Sequence, residues 1–321
     1  MKPVLCLGDA CFDLILPYAA ALKAKAGIAV DPHTLDVVRA PGGSVANTAC
    51  TIAKLGVPVW FAGTCGNDVF GMELKESFEH DGVDTHLLRV DPNQPTQLVL
   101  LVLDETGDRV GFACPARGGA QHSITKEQIP EDVLDQIGWL HVNGMMLRED
   151  PAASTQLYWM QRSFERGIPV SLDINARVES LGNRFFYENM QKAKAFATVI
   201  FGSAFDEIPL LAAVHDAESA AVTLAQNGRV VIARSGDQGA VFYQNGRRMH
   251  FPAFPVDVVD TVGAGDTFDG AYIAAILSGK SFEDAMRIGN AAAAICVSKP
   301  GGRSGPTRNE LLAFSEQHPV L

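Results

Sequence analysis

The stretch whose residue types and spacing most directly suggest chemistry is Asp260-Thr261-Val262-Gly263-Ala264-Gly265-Asp266-Thr267-Phe268-Asp269-Gly270. Two glycines frame a small residue, and an aspartate follows where the pattern turns helical over 264–277. A helix start leaves backbone N–H groups unpaired, and the peptide dipole there favours an anion. Glycines let the backbone come close to a phosphate. Asp266, in the first turn, would stand beside that anion as a proton acceptor. The same spacing also describes a plain turn with an acidic residue at a helix start, and short glycine motifs recur by chance.

A second stretch, Pro41-Gly42-Gly43-Ser44-Val45-Ala46-Asn47-Thr48-Ala49, leads a Gly-Gly turn into a helix with Asn47 in its first turn. Such a turn can offer backbone amides and one side-chain amide to a polar ligand. It is equally a loop with Ser44 as the helix cap. Two familiar phosphate motifs do not fit. A dinucleotide fingerprint needs a third glycine where Phe268 stands. A P-loop needs a glycine at Ala274 to precede Gly279-Lys280-Ser281, which reads better as the end of one helix and the cap of the next.

These stretches need a scaffold, and the hydrophobic pattern supplies one. Strands are expected at 4–7, 57–62, 139–142, 169–173, 199–201, 230–233 and 240–243. Helices are expected at 44–55, 70–80, 153–166, 204–213, 217–226, 264–277, 282–297 and 308–317. Strands at 97–103 and 109–113 flank the turn-rich Asp104-Glu105-Thr106-Gly107-Asp108 and read as a β-hairpin. The alternation predicts an α/β fold whose mostly parallel sheet is covered on both faces. No linker divides the chain. One domain over 1–321 is expected, with insertions at about 12–41 and 91–119 forming a smaller layer above the sheet.

Composition narrows the partners. The 321 residues include 37 Asp and Glu against 26 Lys and Arg. That negative field disfavours nucleic acid and anionic membranes. No apolar run approaches a bilayer span, and Asp9 and Asp13 interrupt the apolar start where a secretory core would be uncharged. Six cysteines without a CxxC pair read as buried free thiols, and eight histidines show no metal-like spacing. A cytoplasmic location is expected.

Together and in this order, the Gly-Gly-Ser-Val-Ala-Asn-Thr-Ala and Asp-Thr-Val-Gly-Ala-Gly-Asp-Thr-Phe stretches resemble the two signatures of the ribokinase-like (PfkB) carbohydrate kinases. The likeness extends over essentially the whole chain. It implies a three-layer α/β/α sandwich with a small β-sheet lid, an ATP-dependent transfer to a sugar hydroxyl, Mg2+ as cofactor with K+ in many members, and a homodimer joined through the lid. Carried over residue by residue, it implies Asp266 as general base and Gly263, Ala264 and Gly265 as the anion hole. Asp13, Gly42, Gly43 and Asn47 would bind the sugar. Ser235, Gly236 and Gly239 would meet the nucleotide phosphates, with Asn290 near the base. Asp260, Val262 and Ser304, within Gly301-Gly302-Arg303-Ser304, would hold the monovalent cation. One stretch departs. The family's Asn-x-x-Glu is here Ser203-Ala204-Phe205-Asp206, followed by Glu207, so Asp206 or Glu207 would carry the magnesium role through water and Ser203 would stand for the Asn.

For the acceptor, Asp173-Ile174-Asn175-Ala176-Arg177 resembles the Asp-x-Asn-x-Arg of fructokinases and 2-keto-3-deoxygluconate kinases more than ribokinases. Asn175 and Arg177 thus become substrate candidates, and Arg177 could hold a carboxylate or phosphate, or simply pair with Glu179 or Asp173. Arg117 and Arg148 are further candidates. Rival readings are a nucleoside kinase, for which Tyr18, Trp60 and Phe112 form no obvious aromatic platform, and a sugar- or nucleotide-binding homologue that has lost activity. A nicotinamide-dependent oxidoreductase is disfavoured by the missing glycine fingerprint.

Overall fold

The structure is a computed structural model and describes residues 1–17, 37–103, 109–176 and 183–318. The chain runs β1 (Val4–Leu7), β2 (Cys11–Pro17), β3 (Val38–Gly42), α1 (Ser44–Lys54), β4 (Val59–Gly66), α2 (Val69–Asp81), β5 (Leu88–Asp91), β6 (Leu98–Leu103) and β7 (Arg109–Cys114). It continues with β8 (Trp139–Asn143), α3 (Ala152–Glu165), β9 (Val170–Asp173), α4 (Arg184–Phe196), β10 (Val199–Ser203), α5 (Glu207–Ala212) and α6 (Ala217–Leu224). Last come β11 (Val230–Arg234), β12 (Ala240–Gln244), β13 (Arg247–Phe251), α7 (Ala264–Leu277), α8 (Phe282–Val297) and α9 (Arg308–Gln317).

Among the described residues the strands form a nine-stranded sheet in the order β13-β12-β11-β10-β9-β8-β1-β4-β5 and a four-stranded sheet in the order β3-β2-β6-β7. From β11 to β5 every neighbouring pair is parallel; β12 and β13 close that edge antiparallel. Alternate residues of one strand serve different cores, as a pleated strand requires. Val4 and Cys6 face the cluster shared with α1, α2, α7 and α8; Leu5 and Leu7 face the one shared with α3, α4 and α6. Both faces are therefore covered, which is why these strands read as unbroken apolar runs.

The sequence pattern locates α1, α7, α8 and α9 to within a residue. It starts α5 three residues early, because Ala204-Phe205-Asp206 forms a turn before the helix. It passes over the helix α4 and the strands β2, β3, β5 and β13. Of these strands, β5 and β13 are the edges of the large sheet and alternate weakly, with exposed Arg89, Arg247 and Arg248. The hairpin β6–β7 is present and pairs Leu98 with Cys114 through Leu103 with Arg109. Both insertions contribute to the small sheet: β2 and β3 from one, β6 and β7 from the other. No described helix is long and apolar enough to cross a membrane, and all six cysteines are free thiols.

α7 must be seated firmly, because it carries the Gly-Ala-Gly-Asp turn. Its anchor is Phe201 of β10, fully buried, with ring centroids 6.5 Å from Phe268 and 5.6 Å from Tyr272. Phe201→Ala is expected to destabilise the protein by about 3–5 kcal/mol in urea unfolding, the range for an aromatic deletion in a packed core.

Candidate active site

The polar residues gather at the C-terminal ends of the parallel strands, where open α/β sheets present their crevice. Asp9 follows β1, Arg148 follows β8, Asn175 follows β9, Glu207 follows β10, and Arg234 ends β11. Two cavities open there. One, of about 760 Å³, lies between the large and small sheets and is lined by Asp9, Asp13, Asn47, Asn175, Gly263 and Asp266, among others. The other, of about 950 Å³, is lined by Gly236, Gly239, Ala264, Gly265, Phe268 and Asn290, among others. The turn 263–265 is thus the wall between them: Gly263 faces the first cavity, while Ala264 and Gly265 face the second.

That wall depends on missing side chains. Gly263 caps α7 with φ +75°, and a Cβ there would overlap the Gly302 carbonyl. A Cβ on Gly265 would lie 2.7 Å from Nη1 of Arg234. The guanidinium therefore packs directly behind the turn.

Asp266 faces the first cavity and is held by the other half of the chain. The Ser44 hydroxyl donates to Oδ1 at 2.8 Å, and Asn47 Nδ2 donates to Oδ2 at 2.8 Å. Withdrawal from water, followed by repulsion from Asp173, pushes the Asp266 carboxyl up to about 7 against those two hydrogen bonds. Ser44 is thus not the cap of α1. The cap position is Gly43, which has no side chain, and Asp9 supplies the acceptor instead. The Ser44 N–H donates to Asp9 Oδ2 at 2.9 Å and the Val45 N–H to Oδ1 at 3.0 Å, while Asn143 Nδ2 adds a third bond at 2.8 Å. Asp13 also lines the cavity, on strand β2, beside Gly42.

Arg303 ties the two ends of the chain together. Its guanidinium donates to the Gly42 carbonyl at 3.0 Å, to Asn47 Oδ1 at 3.3 Å and to Ser77 Oγ at 2.7 Å, and lies 4.8 Å over the Phe78 ring. Bonding to Oδ1 fixes the Asn47 amide so that its N–H₂ points at Asp266. Beside it, Asp260 accepts from the N–H groups of Val262 at 2.9 Å and Gly301 at 3.0 Å, and the Ser304 hydroxyl bonds the Pro300 carbonyl. The three residues expected to hold a monovalent cation therefore lie on one loop pair, and Val262 also reaches the first cavity.

In the second cavity, Ser203, Gly236, Gly239 and Asn290 are all lining residues, and Asn290 Nδ2 donates to the carbonyls of Phe251 at 2.9 Å and Pro252 at 3.0 Å. Ser235 closes the turn instead, its N–H donating to the Gly239 carbonyl at 2.7 Å. The two carboxylates after β10 separate clearly. Asp206 is exposed and accepts from the Ser203 hydroxyl at 3.3 Å. Glu207 lines the cavity and accepts from the N–H groups of Ser203 at 2.7 Å and Ala176 at 2.8 Å. Asn175 reaches the first cavity with φ 38°, in the left-handed region. Arg177 and Tyr18 lie outside the described residues. Arg117 is exposed, away from either cavity lining; Arg148 and Phe112 line the first. Trp60 packs its ring 4.8 Å from His86 instead.

Sequence reasoning missed Arg234. Its Nη1 donates to Asp269 at 2.8 Å and its Nη2 to Asp173 at 2.6 Å, with Glu207 4.0 Å away. Burial opposes its charge, but the surrounding carboxylates hold it protonated. Burial raises Asp173, Asp269 and Glu207 in turn, with Arg234 pulling each back. A charged residue ending the apolar run 230–233 was the available signal. Arg234→Met should destabilise the protein by about 3–5 kcal/mol near neutral pH, because carboxylates are left buried without a cation. Their raised pKa values mean that acid neutralises them, so the deficit should shrink in mild acid; urea unfolding at the two pH values checks both statements.

The profile of the "pfkB family carbohydrate kinase" matches residues 1–309. The chain belongs to this family. It is 32% identical to an ATP-dependent ribose-1-phosphate kinase of Halopiger xanaduensis, over 85% of this chain and 86% of that protein. It is 31% identical to a fructokinase of Klebsiella pneumoniae, over 76% of this chain and 78% of that one. The solved aminoimidazole riboside kinase of Salmonella enterica, complexed with aminoimidazole riboside and an ATP analogue, superposes with TM-score 0.80 at 26% identity, covering 98% and 99% of the two chains. The protein has the ribokinase-like α/β fold and is a phosphotransferase of the sugar and nucleoside kinase group that uses ATP.

Proposed function

We propose that the protein transfers the γ-phosphoryl group of ATP to a hydroxyl of a small sugar or sugar acid, of the fructokinase or 2-keto-3-deoxygluconate kinase type. The observation that carries this reading is the shared wall: one turn offers amides to the second cavity and, one residue on, a carboxylate to the first. The acceptor occupies the first cavity and the nucleotide the second. Asp266 takes the proton of the attacking hydroxyl. The new P–O bond forms as the bond to the ADP oxygen breaks, and the amides of 263–265 stabilise the charge on the transferred group. Asp13 and Asn47 orient the acceptor hydroxyls, with Gly42 and Gly43 shaping the turn between them.

Mg2+ fits the second cavity. This ion usually takes phosphate and water ligands with only one or two protein carboxylates, and Glu207 and Asp237 both line the space. Bound there, it would neutralise phosphate charge. Glu207 rather than Asp206 takes the part that the family gives to its Asn-x-x-Glu carboxylate. Asp260, Val262 and Ser304 remain the proposed site for a monovalent cation such as K+. The small sheet, which closes the first cavity from above, is the proposed lid and dimer surface.

A nucleoside or riboside acceptor is the second reading. Phe112 lines the first cavity from β7, where a ring could cover a base.

The test is a coupled ADP-release assay over fructose, ribose, ketodeoxygluconate and nucleosides. ATP-dependent turnover of a sugar or sugar acid is expected; turnover confined to nucleosides selects the second reading. Asp266→Asn should lower kcat on the order of a hundredfold or more. Because Asp266 is raised to about 7, kcat/KM should fall on the acid side of that pH, where the base is protonated. Asn47→Ala removes a bond to the ionised form, so the acid limb should move to higher pH; a limb that stays put would remove Asn47 from this role.

A further inference from the structure

We infer that Arg148 grips an anionic group, carboxylate or phosphate, on the acceptor, at a position other than the reacting hydroxyl. This rests on the kinase reading above and narrows its substrate class. The charged side chains lining the first cavity are Asp9, Asp13, Asp266 and Arg148, so among the described residues Arg148 is its one cation. It is half-buried, and it makes no side-chain hydrogen bond or ion pair with any described residue. Other half-buried or buried arginines are matched: Arg303 by Asn47, Ser77 and Gly42, Arg229 by three carbonyls, Arg234 by carboxylates.

The turn that carries Arg148 is fixed before any ligand arrives. The Gly144 N–H donates to the Asp173 carbonyl at 2.9 Å, and Asn189 Nδ2 donates to the Leu147 carbonyl at 3.3 Å. Met146 and Leu147, between those points, are buried. A guanidinium held at the edge of such a cavity presents a rigid fork matched to the paired oxygens of carboxylate or phosphate. Its neighbours do not satisfy it. His122, close enough to feel its charge, has its pKa lowered chiefly by burial, and Gln121 lines the same cavity with its amide 3.2 Å from that ring. Against three carboxylates an acidic acceptor would be repelled, and Arg148 reverses that locally.

The experiment compares acceptors in pairs differing in the anionic group. Ketodeoxygluconate against its C1 alcohol reads a carboxylate; ribose 1-phosphate against methyl riboside reads a phosphate. In the wild type, one anionic member should exceed its neutral partner in kcat/KM by roughly ten- to a hundredfold, the span of a charge-assisted hydrogen-bond pair. Arg148→Gln should erase that preference, mainly through KM, and Arg148→Lys should restore part of it. A wild-type preference for the neutral member of both pairs overturns the proposal, as does an equal loss on all acceptors in Arg148→Gln. Calorimetric binding of the same four compounds separates the two readings. If no compound is phosphorylated yet the anionic one binds and loses affinity in Arg148→Gln, the kinase assignment falls and the Arg148 assignment stands. If phosphorylation proceeds without anionic preference, the reverse holds.

Discussion

The site depends on two hydrogen bonds that cross more than two hundred residues of sequence. Ser44 and Asn47, at the start of α1, hold both oxygens of Asp266, at the start of α7. Each helix start alone is an ordinary anion-favouring terminus. Joined, they place one carboxylate between two cavities and fix its rotamer, as the proposed role of general base requires. The two helices can meet because they share one face of the sheet, and Gly270 lets α7 approach α1 closely: a Cβ there would lie 2.8 Å from the Thr48 carbonyl oxygen.

The same arrangement concentrates negative charge. Asp173, Asp269, Glu207 and Asp266 surround Arg234, and burial raises all four carboxyls. A carboxyl whose folded pKa is raised binds its proton more tightly folded than unfolded. Its stabilising contribution is full in acid, below the unfolded value, and is lost as pH rises through the folded value, near 7 for Asp266. Stability near neutral pH is thus surrendered at the carboxyl proposed as the base. Arg234 limits the loss by placing a permanent cation behind the turn 263–265, where a phosphate bound as proposed would also sense it.

Much of this was legible in the sequence because it rests on local rules. The glycine spacing, the helix start at Ala264 and the long apolar period of α7 and α8 are short-range signals, and they located Asp266 and the turn 263–265 to which the base and the anion site are assigned by proposal. What was not legible depends on tertiary placement. Asp9 looked like a break in an apolar start, yet it caps a helix 35 residues away in sequence. Arg303 looked like part of a loop, yet it orients Asn47. Ser44 looked like a cap because its type favours that role, but Gly43 took the cap position and freed the hydroxyl for Asp266. Phe112 forms no aromatic platform in the sequence, yet it reaches the first cavity with Gly111 and Ala113 of β7, because the small sheet folds over that cavity.

The altered Asn-x-x-Glu stretch is the feature of this chain that a homologue without activity would carry. Its geometry argues otherwise. Ser203 keeps a polar side chain at the cavity wall, and the register shift to Glu207 moves the carboxylate by one residue into the cavity lining, while Asp206 turns to solvent. Two backbone N–H groups then fix Glu207 at the cavity wall. Glu207 held against Arg234, beside Asp266 and the turn 263–265, supports the proposed phosphoryl transfer.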